Sequence, residues 1–383
     1  MTDFDPLRPP DDPWPVLDEL RSQCPVHLTS SGMAMPVSYD SVTDVLNNPE
    51  AFSSRSRRPP AEGEAEQIVH LDGAPHTRIR RLVNKALPKR VMSRCQPDVE
   101  AIVTELLAPL LPLGEFDLVS ALSQPIPAIV FFRLMGVPEA DRTTFIGWAD
   151  DAVHHSHSGE EAPTHDAFMS YVLDRIEQAR RQPGDDILSR MVHTEVDGDR
   201  LTDAEVAAMV RILIIAGTET TTNAMSTLFH RLLAERELWE KVVADPELIP
   251  IAVEEALRID PPLNWVPRVC IEASEVGGIA VPAGVGVAAN VGAGNHDPSK
   301  YEDPHQFSLD RPSTDPLMLT FGAGAHYCLG APLARTELKA ALTVATKTLP
   351  DLRIADGYVF APRGPVMMRG AKSLPVRFAP HAG

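Results

Sequence analysis

One stretch, FGAGAHYCLGAPLAR from Phe321 to Arg335, gathers a cysteine, a histidine and three glycines at the start of a helix-forming run. Gly322, Gly324 and Gly330 leave the backbone on both sides of Cys328 free to turn tightly. Pro332 falls in the first helical turn, where a missing N–H costs nothing. A cysteine just before a helix N-terminus meets unpaired N–H groups and the positive end of the helix dipole, which together favour the thiolate. A thiolate held there is a metal ligand or a nucleophile. The same loop can cradle a phosphate, but no lysine or hydroxyl follows at phosphate-loop spacing. A small buried cysteine in a turn is the ordinary alternative.

Three further constellations carry chemistry. In ILIIAGTETTTNAM, Ile212 to Met225, a glycine interrupts an apolar helical run at a cost of about 1 kcal/mol relative to alanine. Gly217 therefore needs a reason, either tight packing or the close approach of a flat ligand. The Thr220 hydroxyl can bond back to the Ala216 carbonyl and open the helix locally. That leaves a polar notch beside an acid, Glu219, suited to relaying protons. In EEALR, Glu255 and Arg258 share a helix face, and FSLDRP offers Arg311 downstream. Taken alone, such a pair is a surface contact worth under about 1 kcal/mol. In HTRIRR, His76 and Arg80 project from one helix face, and Arg268 stands alone in WVPRV. Such donors suit anionic groups, although a single arginine is more often simply solvated.

Together, F-G-x-G-x-H-x-C-x-G around Cys328, A-G-x-E-T from Ala216 to Thr220 and E-x-x-R from Glu255 resemble the cytochrome P-450 family in its soluble bacterial form. The matches fall in the family's order and span essentially the whole chain. The resemblance implies an α+β, mainly helical fold, with haem b between the Thr220 helix and the Cys328 loop. It implies that Cys328 is the axial thiolate and only metal ligand, with Phe321 beside it. His76, Arg80, Arg268 and His326 would meet the haem propionates, and Ala216 and Gly217 would border the haem. Thr220 and Glu219 would organise the water chain that supplies protons, while Glu255, Arg258 and Arg311 would form a structural trio. The implied activity is a monooxygenase that inserts one atom of O2 into a lipophilic small molecule. One departure from the pattern is His296 in GNHDP, where many relatives carry arginine.

These residues need elements to hold them. Short strand-like pieces are expected at Val26 to Leu28 and Met33 to Val37, then a helix from Ser41 to Asn47. From His76 to Leu257 the pattern is overwhelmingly helical, broken at Gly114, Pro183-Gly184 and Pro261-Pro262. LTDAEVAAM reads as a capping box, with Thr202 as N-cap and Glu205 three residues on, and a further helix opens at Pro138. VGGIAVPAGVGVAANV reads as short strands with glycine turns. A helix from Ala331 to about Leu349 and a final strand pair close the chain. A single domain over residues 1–383 is expected.

Composition narrows the classes. The chain has 383 residues, 44% of them hydrophobic and 23% charged, which is ordinary for a globular protein. Its 36 prolines are scattered as loop punctuation. A net charge of −18 disfavours nucleic acid and anionic membrane as partners. The acidic, proline-rich N-terminus has no basic region or apolar run, so neither a signal peptide nor a membrane anchor is expected. The expectation is a cytoplasmic monomer. Cys24, Cys95, Cys270 and Cys328 are too dispersed for a disulfide framework or a tetrathiolate zinc site, and the first three read as small buried hydrophobes. In HHSHSGEEAPTH, His154, His155, His157 and His165 fit no common zinc spacing and read as an exposed loop.

Partners and pocket follow from the resemblance. No flavin or iron-sulfur motif is present, so two electrons must come from outside, from a ferredoxin and its reductase. Between Arg78 and Arg94 lie seven basic residues (78, 80, 81, 85, 89, 90, 94) and no acid. With Arg335 and Lys339 they are expected to dock an acidic ferredoxin; a solvated helix face is the alternative. Helix spacing puts Arg211 opposite Thr220 and Ile212 and Ala216 nearer its face. By analogy, Pro59 to His70, Leu263 to Val266 and Val366 to Met368 line the rest, with Asn264, Val266 and Met367 as substrate contacts. Two rivals stand beside the monooxygenase. A peroxide-driven peroxygenase would not need Glu219 and Thr220, and a haem gas sensor would need neither the relay nor its notch.

Overall fold

The computed structural model describes residues 4–10, 12–55, 60–155, 162–311, 317–363 and 367–381. Its α-helices are α1 (Trp14–Gln23), α2 (Tyr39–Asn47), α3 (Gly73–Ala86), α4 (Lys89–Arg94), α5 (Gln96–Leu107), α6 (Pro125–Leu134) and α7 (Arg142–His155). They continue with α8 (His165–Arg181), α9 (Ile187–His193), α10 (Asp203–Ala234), α11 (Arg236–Ala244), α12 (Ile249–Ile259), α13 (Val291–Asn295) and α14 (Ala331–Thr348). The main sheet runs in the order β1 (Val26–Leu28), β2 (Ala34–Pro36), Gly286–Ala289, Val266–Cys270 and β3 (Phe52–Ser53). Within it, Arg268 pairs with Val287 in antiparallel register. The fold is α+β and mainly helical, as the sequence leads one to expect.

Local chemistry explains the boundaries. The hydroxyl of Thr202 accepts from Glu205 N at 3.2 Å, and Glu205 Oε2 accepts from Thr202 N at 2.8 Å. This capping box starts α10, whose 32 residues extend about 48 Å. Ser38 and Ser41 cap each other reciprocally, so α2 begins at Tyr39 rather than at Ser41. Pro138 precedes a short 3₁₀ turn, and α7 proper starts at Arg142. The helical middle also holds strands. Glu115–Asp117 (β4) pairs antiparallel with Pro375–Arg377, which in turn pairs with Arg353–Ile354. The expected terminal strand pair is therefore a three-stranded sheet. Glu195–Val196 (β5) and Asp199–Arg200 (β6) form a hairpin whose turn residues Asp197 and Gly198 both have positive φ, 52° and 77°. Asp-Gly is the usual sequence for such a turn.

Helix α10 runs through both large apolar cores. Val206 to Ile214 joins the core built with α3, α7, α8 and α9, and Ala224 to Leu233 joins the one built with α5, α11, α12 and α14. Residues 215–223 belong to neither. A helix apolar on most sides is normally buried throughout. Here the burial lapses where Ala216 and Gly217 lie exposed in mid-helix.

Candidate active site

The Cys328 loop is shaped by its glycines. Gly322 and Gly324 have φ of 72° and 66°, conformations that side chains rarely adopt. A Cβ on Gly324 would lie 2.7 Å from Asn47 Oδ1 and 2.9 Å from the Leu46 carbonyl, so only glycine lets the loop seat on the end of α2. Cys328 N donates to the Phe321 carbonyl at 2.9 Å, which closes the turn. The Cys328 side chain is accessible, yet protein surrounds it so closely that burial pushes its thiol up. The sulfur therefore faces a cleft inside the molecule. The Gly330 and Ala331 N–H groups and the charges of Arg80 and Arg335 pull the other way, toward thiolate.

In the middle of α10 the accessible positions are Ala216 and Gly217, with Thr220 one turn on. A Cβ added at Gly217 would meet nothing within 4 Å, so tight helix packing does not account for this glycine. Thr220 Oγ1 donates to the Ala216 carbonyl at 2.5 Å, and Thr218 Oγ1 donates to Ile214 at 2.6 Å. Glu219 is turned inward and buried at 8% exposure.

Four nitrogen-bearing side chains converge from three parts of the chain. His76 and Arg80 come from α3, Arg268 from its strand, and His326 from the Cys328 loop. The His76 and His326 rings are 4.2 Å apart. Arg80 Nη2 donates to the Tyr327 carbonyl at 2.6 Å, and Arg268 Nη1 to Pro267 at 2.8 Å. Burial lowers the pKa of all four, His76 to about 4. His76 Nε2 is buried and has no partner among the described residues. The carboxylate in their midst is Asp72, which accepts from the Ser53 and Ser54 hydroxyls at 2.5 and 2.7 Å and meets His326 at 3.3 Å. Hydrogen bonds from these serines and His326 hold it below its ordinary range against the opposing effect of burial. Two guanidiniums against one carboxylate leave a local positive excess. That donor set, the open face at Gly217 and the accessible sulfur fit a flat dianionic group such as haem.

The supporting residues also come together. Glu255 and Arg258, each 3% exposed, form a bidentate pair with both contacts at 2.8 Å. Arg311 Nε adds a third contact to Glu255 Oε1 at 3.0 Å. Asn264 N donates to the Met367 carbonyl at 2.7 Å, and Leu263 bridges Met368, so two expected pocket segments form one wall. Asn223 Nδ2 reaches Met368 Sδ at 3.6 Å and ties this wall to α10. Ile212 and Val266 are half-buried. Pro59, Val366 and His157 lie outside the described residues.

Some expectations need correction. The basic run 78–94 has no acid of its own, but acids arrive from the β5–β6 hairpin and the start of α10. Arg78 pairs with Asp199 and Glu205, Arg81 with Asp197, and Lys85 donates to the Glu195 carbonyl. Arg335 is bidentate to Glu254. Of the supposed docking patch, Lys89, Arg90 and Arg94 remain exposed, with no ion pair among the described residues, and Lys339 is half-buried. His165 is not in an exposed loop: it is 7% exposed and meets Glu64, which also pairs with Arg211 at 3.2 Å. Cys24 is half-buried rather than buried, with Sγ 3.2 Å from the Val26 carbonyl. Among the described residues no group of three or more His, Cys, Asp or Glu side chains is arranged to hold a metal ion, and no helix is long and apolar enough to cross a membrane. Asp72, Ser54, Asn223 and Glu254 escaped the sequence reading. Of these only Asp72, next to the helix start in HLDGAPH, stood where a cap is sought.

Known proteins resemble this chain in sequence and in fold. The family model described as Cytochrome P450 matches residues 154–345. The chain is 36% identical over 384 residues to cytochrome P450 monooxygenase PikC of Streptomyces venezuelae, covering 96% of this chain and 91% of that one. It is 32% identical over 371 residues to a steroid C26-monooxygenase of Mycolicibacterium smegmatis, covering 95% and 92%. Cytochrome P450 CYP109Q5 from Chondromyces apiculatus superposes with a TM-score of 0.93 at 29% identity, covering all of both chains.

Proposed function

The chain belongs to the cytochrome P450 family, and on that premise we propose that it is a haem-thiolate monooxygenase acting on a lipophilic small molecule, with electrons from a ferredoxin-type donor. The observation that carries this reading is the lapse of burial at Ala216–Gly217 in a helix otherwise enclosed by core, together with an accessible Cys328 sulfur deep in the protein. When bound, the haem would supply oxygen activation, which a thiolate ligand favours.

The chain's own residues do the rest. Cys328 would hold the haem iron through its thiolate. His76, Arg80, Arg268 and His326 would hold the propionates through charge-assisted hydrogen bonds, and Asp72 would fix the His326 ring. The Thr220 Oγ–H is spent on the Ala216 carbonyl, so its oxygen is left to accept a hydrogen bond from water and orient it. Glu219, one residue earlier, would be the acid that supplies protons to that water. The wall assigned to Ile212, Ala216, Asn264, Val266 and Met367 would be mainly apolar, which suits a lipophilic substrate. A relative named as a steroid monooxygenase makes steroids the first class to test.

Three experiments test the reading. The reduced carbon-monoxide complex should show the strongly red-shifted Soret band of thiolate ligation, and Cys328→Ser should abolish it. Survival of the band in that variant would refute the assignment. Thr220→Ala should then consume electrons while releasing peroxide, with product formation down by at least about tenfold. Product formed from peroxide alone, without donor electrons and undiminished by the substitution, would favour the peroxygenase. For the donor, the docking surface narrows to Lys89, Arg90 and Arg94 with Lys339 beside them. Lys89→Glu with Arg90→Glu should slow reduction by a ferredoxin and flatten its salt dependence. Unaltered rates would remove the patch from the reading.

A further inference from the structure

Arg335, in the second turn of α14, is committed on every side. Its Nε and Nη2 donate to the two oxygens of Glu254 on α12 at 2.7 and 2.9 Å. This fork holds the guanidinium over the Phe321 ring, 4.3 Å from its centroid, with Nη1 3.5 Å from the Tyr327 hydroxyl. The backbone carbonyl of Phe321 accepts from Cys328 N–H, so the ring under the cation belongs to the residue that closes the cysteine turn. A guanidinium already bound bidentately and stacked on an aromatic face has little left to offer a docking partner. Its charge acts inward instead, over the ring of the residue whose carbonyl binds the Cys328 N–H.

We propose that Arg335 is a positioning residue that, held by Glu254, fixes Phe321 against the Cys328 turn and sets a positive charge that tunes how readily the haem takes up an electron. This rests on Cys328 being the axial ligand. A cation beside a ligand thiolate withdraws charge from the sulfur and favours the reduced metal, and groups around the ligand are a recognised means of tuning such sites. The carboxylate has two effects. It orients the guanidinium, and it offsets part of its field.

The two partners must therefore act with opposite sign. The test is a partner-free potentiometric titration of holoprotein, with dithionite as reductant, on wild type, Arg335→Gln, Glu254→Gln and Arg335→Lys. Arg335→Gln should favour the ferric form by roughly three- to tenfold, tenfold being about 59 mV for a one-electron couple. Glu254→Gln, which leaves the cation uncompensated, should shift the midpoint the opposite way. Arg335→Lys, which keeps charge but loses the fork, should fall between Arg335→Gln and wild type. If Arg335→Gln does not retain haem, the opposed shifts of Glu254→Gln and Arg335→Lys decide the matter. Glutamine variants that move the midpoint in the same direction, or stay within about twofold of wild type, overturn the proposal. Wild type without the red-shifted carbon-monoxide band would instead refute the Cys328 assignment, so the two failures are distinct.

Discussion

Replacing Glu337 with glutamine should make the protein more stable, and only above acidic pH. Glu337 lies on the buried face of α14, 3% exposed, and its Oε2 has no hydrogen-bond partner among the described residues. Burial pushes its carboxyl up to about 8, from an ordinary value of 4.5. The folded state thus holds a proton that the unfolded chain releases at neutral pH. Stability from this group is complete below about pH 4.5, falls as pH rises, and levels off beyond pH 8. Each unit is worth about 1.4 kcal/mol, so wild type should lose about 4 kcal/mol relative to Glu337→Gln between pH 5 and pH 9. At pH 7, about 2.5 units above the unfolded value, the difference should be about 3 kcal/mol. The assay is urea unfolding of both holoproteins at pH 5, 7 and 9, followed by far-ultraviolet circular dichroism. The haem's own contribution cancels in the difference. A wild-type-to-variant difference that stays constant from pH 5 to 9 would refute the buried neutral acid. Cys95, whose thiol is pushed up to about 11 by burial and then by Glu337, should become easier to ionise in the variant.

Three further outcomes follow. Arg258→Leu leaves Glu255 as a buried carboxylate with only the Arg311 contact and the Ser308 N–H, and should cost about 3–5 kcal/mol in chemical unfolding. Arg80→Gln removes the charge beside the Cys328 loop while retaining polarity, and haem transfer to an apoglobin acceptor should speed up by about 10- to 100-fold. Gly217→Ala should raise helix stability by up to about 1 kcal/mol because its Cβ enters open space. The same methyl should weaken substrate-induced spin-state shifts; a variant with unaltered binding would show that this face does not border the ligand.

Much of the site was legible in the residues because local geometry encodes it. The positive φ at Gly322 and Gly324, the proline after Gly330, and the capping box at Thr202 and Glu205 are short-range features, set by sterics and hydrogen bonds within a few residues. Helix spacing likewise put Arg211 on the side away from Thr220, where Glu64 meets it. The Asp197-Gly198 hairpin was equally legible but lay inside a stretch read as overwhelmingly helical, where the period of the neighbours outweighed a two-residue turn signal.

Charge partnership was another matter. Seven basic residues without a local acid read as a free docking face. Tertiary structure brings Asp197, Asp199 and Glu205 to them across more than 100 residues of chain and neutralises that side of α3. The same holds for Arg335, which Glu254 converts from a surface charge into a cation over Phe321. Strand β4 pairs with a partner near the C-terminus, and no local pattern announces that register. The sequence alone determined which residues could ligate, turn and cap around Cys328, because those properties belong to a residue and its near neighbours. Only the tertiary structure decided which charges remain free, which glutamate is left alone in the core and which face of α10 stays open. Burial and electrostatic compensation are sums over everything that surrounds a group, and most of those surroundings lie far away in the chain.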